Sequence, residues 1–297
     1  EAASSGTDYE WDDDTKKLTI KTSDALTLST PNNSAENPAT AHIHAPQVSG
    51  QGTNAKLTLN GVHITEPQNT GYGAICVTGT LEITLAEGST NTLTGGAINS
   101  ERTTNTYGIY ASTLTINGSS TLNATGGAIT TNSSSNSNLS CGIQCNNTIS
   151  ISEGTVNATG GNVSNGSSYG IRAYEQGVKA INITGGTVTA TGGAATTSSN
   201  GITKSYGILI DTTNLQITIS GGSGTASTTD STSTYKQAMD KEPTLSNVYI
   251  SGTENDTFRK WLPKADEQYN ALTPGETYWF DLSGQKESMG GEVNNNL

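Results

Sequence analysis

The stretch that decides the fold reads Tyr107-Gly-Ile-Tyr-Ala111, then Leu114-Thr-Ile116, then Thr121-Leu-Asn-Ala-Thr-Gly-Gly127. It recurs in two further copies, which begin at Cys141 and Tyr169 and end in the same paired glycines. A fourth copy begins at Tyr206 and then loses the pattern, and a divergent copy begins at Tyr72. Successive copies start 28–37 residues apart, a period typical of solenoids and repeat arrays.

Apolar and polar residues alternate in three short segments of each copy, which is the pattern of β-strands. The inward pairs of one copy are Ile109 with Ala111, Leu114 with Ile116, and Leu122 with Ala124. Three such strands cannot form a core alone, but coils stacked about 4.8 Å apart can. The repeat therefore predicts an all-β fold, a single-stranded parallel β-helix with three sheets and capped ends. The crossover rule predicts that it is right-handed.

The same register predicts columns of equivalent side chains along the helix axis. One inward column contains Ile109, Ile143, Ile171 and Ile208, and a second contains Cys76, Ala111, Cys145, Ala173 and Ile210. Outward columns of Thr and Asn begin at Thr121 and Asn123, and such side chains form stabilising ladders. The paired glycines that close each copy are predicted to supply corners with positive φ.

Composition divides the chain into three parts. Residues 1–54 are predicted to form an N-terminal cap with the first coils, residues 55–234 the repeats, and residues 235–297 the last strands and a C-terminal cap. The third part contains both phenylalanines and two of the three tryptophans. A short helix capped by Asp256 is predicted over residues 256–262. Trp261, Tyr278 and Trp279 suit a hydrophobic cap better than an aromatic binding platform.

Charge and composition exclude several classes of protein. The chain has 297 residues and a net charge of -12, which disfavours nucleic acid as a partner. It has no apolar run of 18 residues, so no membrane insertion is expected. The three cysteines are interpreted as unpaired small core residues. About half of the residues are Ser, Thr, Asn or Gly, which favours a protein that is secreted or displayed on a bacterial surface. A monomer is expected.

Three segments together resemble a known family: Leu57-Thr-Leu-Asn-Gly-Val-His-Ile64, Ala74-Ile-Cys-Val77 and Ile83-Thr-Leu-Ala-Glu-Gly-Ser-Thr-Asn-Thr-Leu93. The family is that of the pectate-lyase-like β-helix proteins of clostridia described as carbohydrate-binding domains. The resemblance implies a pectin-lyase-like fold and a secreted, non-catalytic protein that binds carbohydrate. Members often carry paired Asp residues that can hold calcium. Those places here read Ser112-Thr113, Asn146-Asn147 and Thr212-Thr213.

The residues argue against an enzyme. Catalytic β-helices need clustered carboxylates on their middle coils, as acids, bases or calcium ligands. No Asp occurs from Ala25 to Ile210. The segment Gly166-Ser-Ser-Tyr-Gly170 fits the nucleophile-elbow pattern, but it leads from a loop into a strand rather than from a strand into a helix. We therefore expect no catalytic residues.

Two groups of residues have the chemistry of metal ligands. His42 and His44 lie on one side of a strand, but no third ligand is near them in sequence, and solvent-exposed histidines are the preferred interpretation. The run Asp12-Asp13-Asp14 suits calcium, although an exposed acidic turn is favoured. No cofactor is expected, with calcium kept as the one candidate.

The outer side of the Tyr-Gly-Ile strands is the most chemically mixed surface that the repeat predicts. Its columns read Ile75, Tyr110, Gln144, Arg172, Leu209 and Val77, Ser112, Asn146, Tyr174, Asp211. Tyrosine offers a stacking surface and guanidinium offers paired donors, which together suit sugars and uronates. The predicted ligand-binding residues are Tyr110, Gln144, Asn146, Arg172 and Tyr174. The alternative is a strand face that is merely solvated.

The preferred function is a non-catalytic module that binds a polysaccharide or other glycan, an acidic one included. The alternative is a passive stalk or adhesin segment without its own ligand, and ice binding by the Thr columns is a third, weaker hypothesis. Because the overall charge repels polyuronates, acidic glycans are expected to bind through Arg172. As an exposed strand residue, Arg172 is expected to add little to stability.

Overall fold

The computed structural model shows an all-β protein in which stacked parallel strands form a β-solenoid of about six turns. It describes residues 5–45, 54–100, 105–131, 138–174, 180–196, 203–210, 216–252, 257–263, 278–282 and 285–287. The predicted parallel β-helix is therefore confirmed. No helix among these described residues is long and apolar enough to span a membrane.

The strands, in chain order, fall into three groups. The first coils contain β1 (Tyr9–Asp12), β2 (Lys17–Ile20), β3 (Ala25–Leu28), β4 (Ala39–Thr40), β5 (His42–Ala45), β6 (Ala55–Leu59), β7 (His63–Thr65), β8 (Ile75–Leu85) and β9 (Thr90–Thr94). The regular repeats contain β10 (Asn105–Asn117), β11 (Thr121–Thr125), β12 (Asn138–Cys145), β13 (Thr148–Ile151), β14 (Thr155–Thr159), β15 (Val163–Ser164), β16 (Gly166–Ala173), β17 (Ala180–Ile183), β18 (Thr187–Gly192), β19 (Ala195–Thr196), β20 (Lys204–Ile210), β21 (Gln216–Ile219) and β22 (Ser223–Thr228). The C-terminal part contains β23 (Tyr235–Met239), β24 (Thr244–Leu245), β25 (Val248–Gly252), β26 (Phe258–Pro263), β27 (Tyr278–Leu282) and β28 (Gln285–Glu287).

The strands form three faces around one core. The first face runs β5-β8-β10-β12-β16-β20-β23, and the third runs β4-β7-β9-β11-β14-β18-β22. The second face includes β6, β13, β17, β21 and β24. The first two faces are hydrogen-bonded into one 15-stranded sheet, because β8 and β10 run through both without a break. A separate pair, β15 and β19, joins two of the connections between the third and first faces.

The repeat register is the one that the sequence predicts. Ile109 pairs with Ile143, Ile143 with Ile171 and Ile171 with Ile208, and all four are fully buried. On the third face, the outward column that begins at Thr121 continues through the later coils in register. The Asn157 Nδ2 atom donates to Asn123 Oδ1 at 2.8 Å, which is one rung of the predicted amide ladder.

The first copy departs from this register, which corrects the columns assigned to it. Ile75 pairs with Ile109 and is fully buried, so it belongs to the inward isoleucine column. Cys76 pairs with Tyr110 and Val77 with Ala111, so Cys76 lies in the outward column. The Tyr72-Gly73 start is one residue further from its isoleucine than the later Tyr-Gly starts are. Burial of the isoleucine, rather than alignment of the Tyr-Gly pair, sets the register.

The glycines act mainly through close packing, which corrects their predicted role. Positive φ occurs instead at the corner between the second and third faces, at Gly118, Gly154, Gly186 and Gly222. The glycine at the second position of each Tyr-Gly-Ile or Cys-Gly-Ile segment has no room for a Cβ atom, which would meet the backbone of a neighbouring strand or coil. The same holds for both glycines of the Gly-Gly pair that closes each copy. At Gly142 that Cβ atom would lie 2.5 Å from Thr159 N and 2.7 Å from Ala124 O. The coil is too narrow there for any side chain.

Antiparallel strands lie at both ends of the solenoid. The β1–β2 hairpin stands at the start of the first face, and β26 pairs antiparallel with β22 and β25 on the third face. The predicted helix over 256–262 is wrong, because residues 258–263 form β26; Asp256 lies outside the described residues. Trp261 is fully buried against the last coil and touches Gly224, as a cap requires.

Candidate functional site

The structure brings the five predicted ligand-binding residues together on the first face. Tyr110, Gln144 and Arg172 occupy one register column on the neighbouring strands β10, β12 and β16. Asn146 lies just after β12, and Tyr174 just after β16. We call this group the tyrosine–arginine patch.

Arg172 is buried within the tyrosine–arginine patch, contrary to the predicted exposure. Only 8% of its surface is accessible, and its Nη1 atom donates to Gln144 Oε1 at 3.1 Å. Its guanidinium lies 4.1 Å from the centre of the Tyr174 ring and 5.3 Å from that of Tyr169. Gln144 is also buried. Both residues therefore hold the patch together rather than present themselves to a ligand.

A second hydrophobic cluster outside the sheet explains this burial. We call it the outer cluster; its members are Tyr107, Leu139, Cys141, Tyr169, Tyr206 and Leu209. Tyr110 packs against it, with its ring 5.3 Å from that of Tyr107. Burial raises the pKa of Cys141 to about 12 and also raises the pKa of Tyr107. The sequence does contain a signal for this cluster: the residue before the first glycine of each copy is Tyr107, Cys141, Tyr169 or Tyr206. In the sequence analysis these residues served only to identify the repeat.

The accessible part of the patch consists of Tyr174, Tyr110 and Asn146. Tyr174 is 40% exposed, and one side of its ring rests on the Arg172 guanidinium. Tyr110 and Asn146 are half-buried, and the Asn146 Nδ2 atom donates to Tyr110 Oη at 2.8 Å. The patch therefore offers two tyrosines held in place by their neighbours, two coils apart, or about 9.6 Å along the axis. An amide group lies between them.

The two histidines are not the solvent-exposed pair that was expected. His42 is 3% exposed, His44 is half-buried, and their ring centres are 6.2 Å apart. The half-exposed ring of Tyr72 packs on both. Burial lowers the pKa of each histidine below its usual value. They therefore form a packed aromatic cluster under Tyr72.

Glu66 holds the segment that leads to Tyr72. This carboxylate is 2% exposed and accepts hydrogen bonds from Tyr72 N at 2.8 Å and Gly96 N at 3.0 Å. The hydroxyl of Thr70 donates to it at 2.5 Å. Both carboxylate oxygens are thus used by the fold.

The remaining sequence motifs have structural roles. The acidic run forms the exposed turn that was favoured: Asp12 Oδ1 accepts from Asp14 N at 3.0 Å, and Asp13 pairs with Lys16 at 2.8 Å. Ser168, the serine of the elbow-like segment, is fully buried and donates to Gly161 O at 2.8 Å. The described residues contain no group of three or more His, Cys, Asp or Glu placed to hold a metal ion.

The three cysteines are unpaired and buried, as predicted. Burial raises the pKa of Cys76 to about 12 and also raises the pKa of Cys145. Neither thiol is therefore ionised near neutral pH, as expected for cysteines that serve as small packing residues.

Comparisons with known proteins give no relative for this chain. No family model matches it, and neither a curated protein nor a solved structure is significantly similar to it. The resemblance to the clostridial carbohydrate-binding family therefore stays a prediction from the sequence.

Proposed function

We propose that this protein is a non-catalytic carbohydrate-binding module of a secreted or surface-displayed bacterial protein. The observation that carries the proposal is the half-exposed ring of Tyr174, fixed from beneath by the Arg172 guanidinium. An aromatic ring held in one orientation presents a flat surface to the C–H side of a sugar at little cost in conformational entropy. The Tyr110–Asn146 pair adds hydroxyl and amide groups that hydrogen-bond to sugar hydroxyls.

The chemistry of the first face supports binding without catalysis. Glycoside cleavage by hydrolysis needs two carboxyl groups on opposite sides of the bond to be broken. The tyrosine–arginine patch consists of two tyrosines, two amides and an arginine, with no carboxylate among its five members. Glu66, elsewhere on the first coils, already accepts three hydrogen bonds, from Thr70, Tyr72 and Gly96.

A passive stalk is the second candidate, and the packing of the coils favours it. Glycines such as Gly108, Gly142, Gly170 and Gly207 let the faces of the solenoid approach closely along its length. Such packing gives a stiff rod, which suits a spacer between other domains. A rod of this kind needs no ligand, so a binding experiment separates the two functions.

The experiment is a glycan array with the purified protein, followed by titration of the best ligand. Tyr174→Ala is expected to weaken binding about tenfold, equivalent to about 1.4 kcal/mol, because it removes the stacking ring. Tyr174→Phe keeps the ring and is expected to bind within about threefold of wild type. Trp11→Ala is the matched control, since Trp11 is 44% exposed on the β1–β2 hairpin, far along the chain from the patch.

Three results would contradict the proposal or one part of it. If the wild-type protein binds no glycan on the array, the stalk function is favoured. If it binds a glycan and Tyr174→Ala binds equally well, the tyrosine–arginine patch is not the binding surface. Detectable cleavage of the bound glycan, with new reducing ends or unsaturated products, would contradict the non-catalytic part.

A further inference from the structure

A cavity of about 690 Å³, widely open to solvent, lies where the first face reaches β23. Its lining residues are Thr228, Asp230, Ser231, Thr234, Tyr235, Lys236, Gln237 and Thr257. They come from the end of β22, the segment that follows it, β23 and the residue before β26. This volume is within the range of small-ligand sites. The cavity is separate from the tyrosine–arginine patch, whose residues lie on or just after β10, β12 and β16.

The wall of this cavity has the chemistry of a sugar site. Its side chains are hydroxyls, one amide, one carboxylate, one ammonium and the ring of Tyr235, with no aliphatic side chain among them. Tyr235 is 50% exposed, so its ring is available for stacking. A lipid or another apolar ligand would leave these polar groups without partners, which is costly. A saccharide satisfies both the polar groups and the ring.

Two lysines lie next to Tyr235, and one of them lines the cavity. Lys236 lines it, with its Nζ atom donating to Ser231 O at 2.8 Å. Lys204 is the register partner of Tyr235 on the neighbouring strand β20. Both lysines are only partly buried, whereas Arg172 is buried.

The carboxylate of Asp230 is directed into the fold. Asp230 is 6% exposed and accepts hydrogen bonds from Ala195 N at 2.9 Å, Thr232 N at 2.7 Å and the Ser233 hydroxyl. Burial alone would raise its pKa, but these hydrogen bonds outweigh burial and hold the pKa below its usual value. Asp230 therefore stabilises the turn before β23, and its carboxylate is not directed at a ligand in the cavity.

We infer that this cavity binds an acidic saccharide. The sugar ring stacks on Tyr235, and Gln237 and Thr234 bond to its hydroxyls. Its carboxylate pairs with Lys236 and is also attracted by the charge of Lys204 on the neighbouring strand. The inference rests on the proposed carbohydrate-binding function and adds to it a second site and the class of its ligand.

The test is titration calorimetry with three acidic probes: trigalacturonate, a hyaluronan tetrasaccharide and sialyllactose. Tyr235→Ala and the double variant Lys204→Gln/Lys236→Gln are each expected to weaken binding of the preferred probe at least tenfold. The control is Lys56→Gln, because Lys56 is an exposed lysine on the second face; it is expected to stay within twofold of wild type. Raising the salt concentration is expected to weaken binding of wild type more than that of the lysine double variant. Matching thermal melts show that the variants are folded.

The outcomes separate this inference from the proposed function. The inference is overturned if none of the three probes binds, or if the Tyr235 and lysine variants bind as wild type does. If Tyr174→Ala abolishes binding while those variants have no effect, the proposed function stands and the cavity is not a site. If neither the array nor the acidic probes show binding, both fail together.

Discussion

Gly142→Ala tests the close packing that the structure assigns to the Tyr-Gly-Ile glycines. The added Cβ atom would lie 2.5 Å from Thr159 N, 2.7 Å from Ala124 O and 2.8 Å from Ala158 C. Ordinary contacts begin at 3.4 Å, so the nearest overlap is about 0.9 Å. All three atoms are backbone atoms of the third face. They cannot move apart without straining the ladders of β11 and β14.

The expected cost follows from these contacts. Overpacking of a rigid core costs about 1–3 kcal/mol, and the involvement of backbone on two strands places Gly142→Ala near 3 kcal/mol. With a urea dependence of about 3 kcal/mol per molar, the unfolding midpoint should fall by about 1 M. Gly88→Ala is the control: Gly88 has open space around it and a φ of +72°, so only backbone strain of about 1 kcal/mol is expected.

The measurement is urea unfolding followed by circular dichroism on wild type and both variants, with the slope checked for change. The two glycines differ in what surrounds them, so the order of the two effects is the decisive result. If Gly142→Ala is no more destabilised than Gly88→Ala, the solenoid is looser at this point than the structure shows. The same would then hold for the equivalent glycines of the other coils.

Three further predictions concern buried polar groups. Arg172→Ala should destabilise the protein by about 1–3 kcal/mol in urea unfolding, because it removes the stack under Tyr174 and the charged donor to the buried Gln144; a change below about 0.5 kcal/mol would restore the surface role expected from the sequence. Burial lowers the folded-state pKa of His42, so its contribution to the free energy of unfolding should be fully present above the unfolded-state pKa of about 6.5. The free energy of unfolding should fall as the pH drops below that value, because the unfolded protein then binds a proton that the folded protein does not. Unfolding of wild type and His42→Phe at pH 8 and pH 5 measures this, and an equal loss in both proteins would assign the effect to other groups. Cys141 should not react with a thiol reagent until the protein unfolds, since the thiol is fully buried with a pKa of about 12; rapid labelling of the native protein at this cysteine would show that the outer cluster opens.

Much of the fold could be predicted from the repeat, because strand periodicity leaves little freedom. Residues two apart in a strand share a side, so a slip of one residue would turn Ile143 and Ile171 out of the core. Wherever several copies agree, this constraint fixes both the stacking order and the inward columns. In the divergent first copy, the Tyr-Gly pair was a poorer guide than the isoleucine. Cys76 was therefore placed on the wrong side.

The candidate site was only half predictable, for a related reason. Periodicity gives the direction in which a side chain leaves its strand, but it does not give what packs over that side chain. Arg172 does point outward, yet the outer cluster and Tyr174 bury it. His42 is buried in the same way under Tyr72. Exposure depends on contacts between residues of different coils.

The sequence by itself determined the all-β class, the three-strand coil and the isoleucine column, since each depends on a local period of two and a repeat of about 30 residues. Only the tertiary structure decided that the paired glycines are there for close approach, that residues 258–263 form a strand, and that a cavity lies beside Tyr235. These features arise where distant segments meet: coil against coil, β26 against β22, and the turn after β22 against β23. The distances between such segments are set by packing of the whole solenoid, and no local pattern in the chain encodes them.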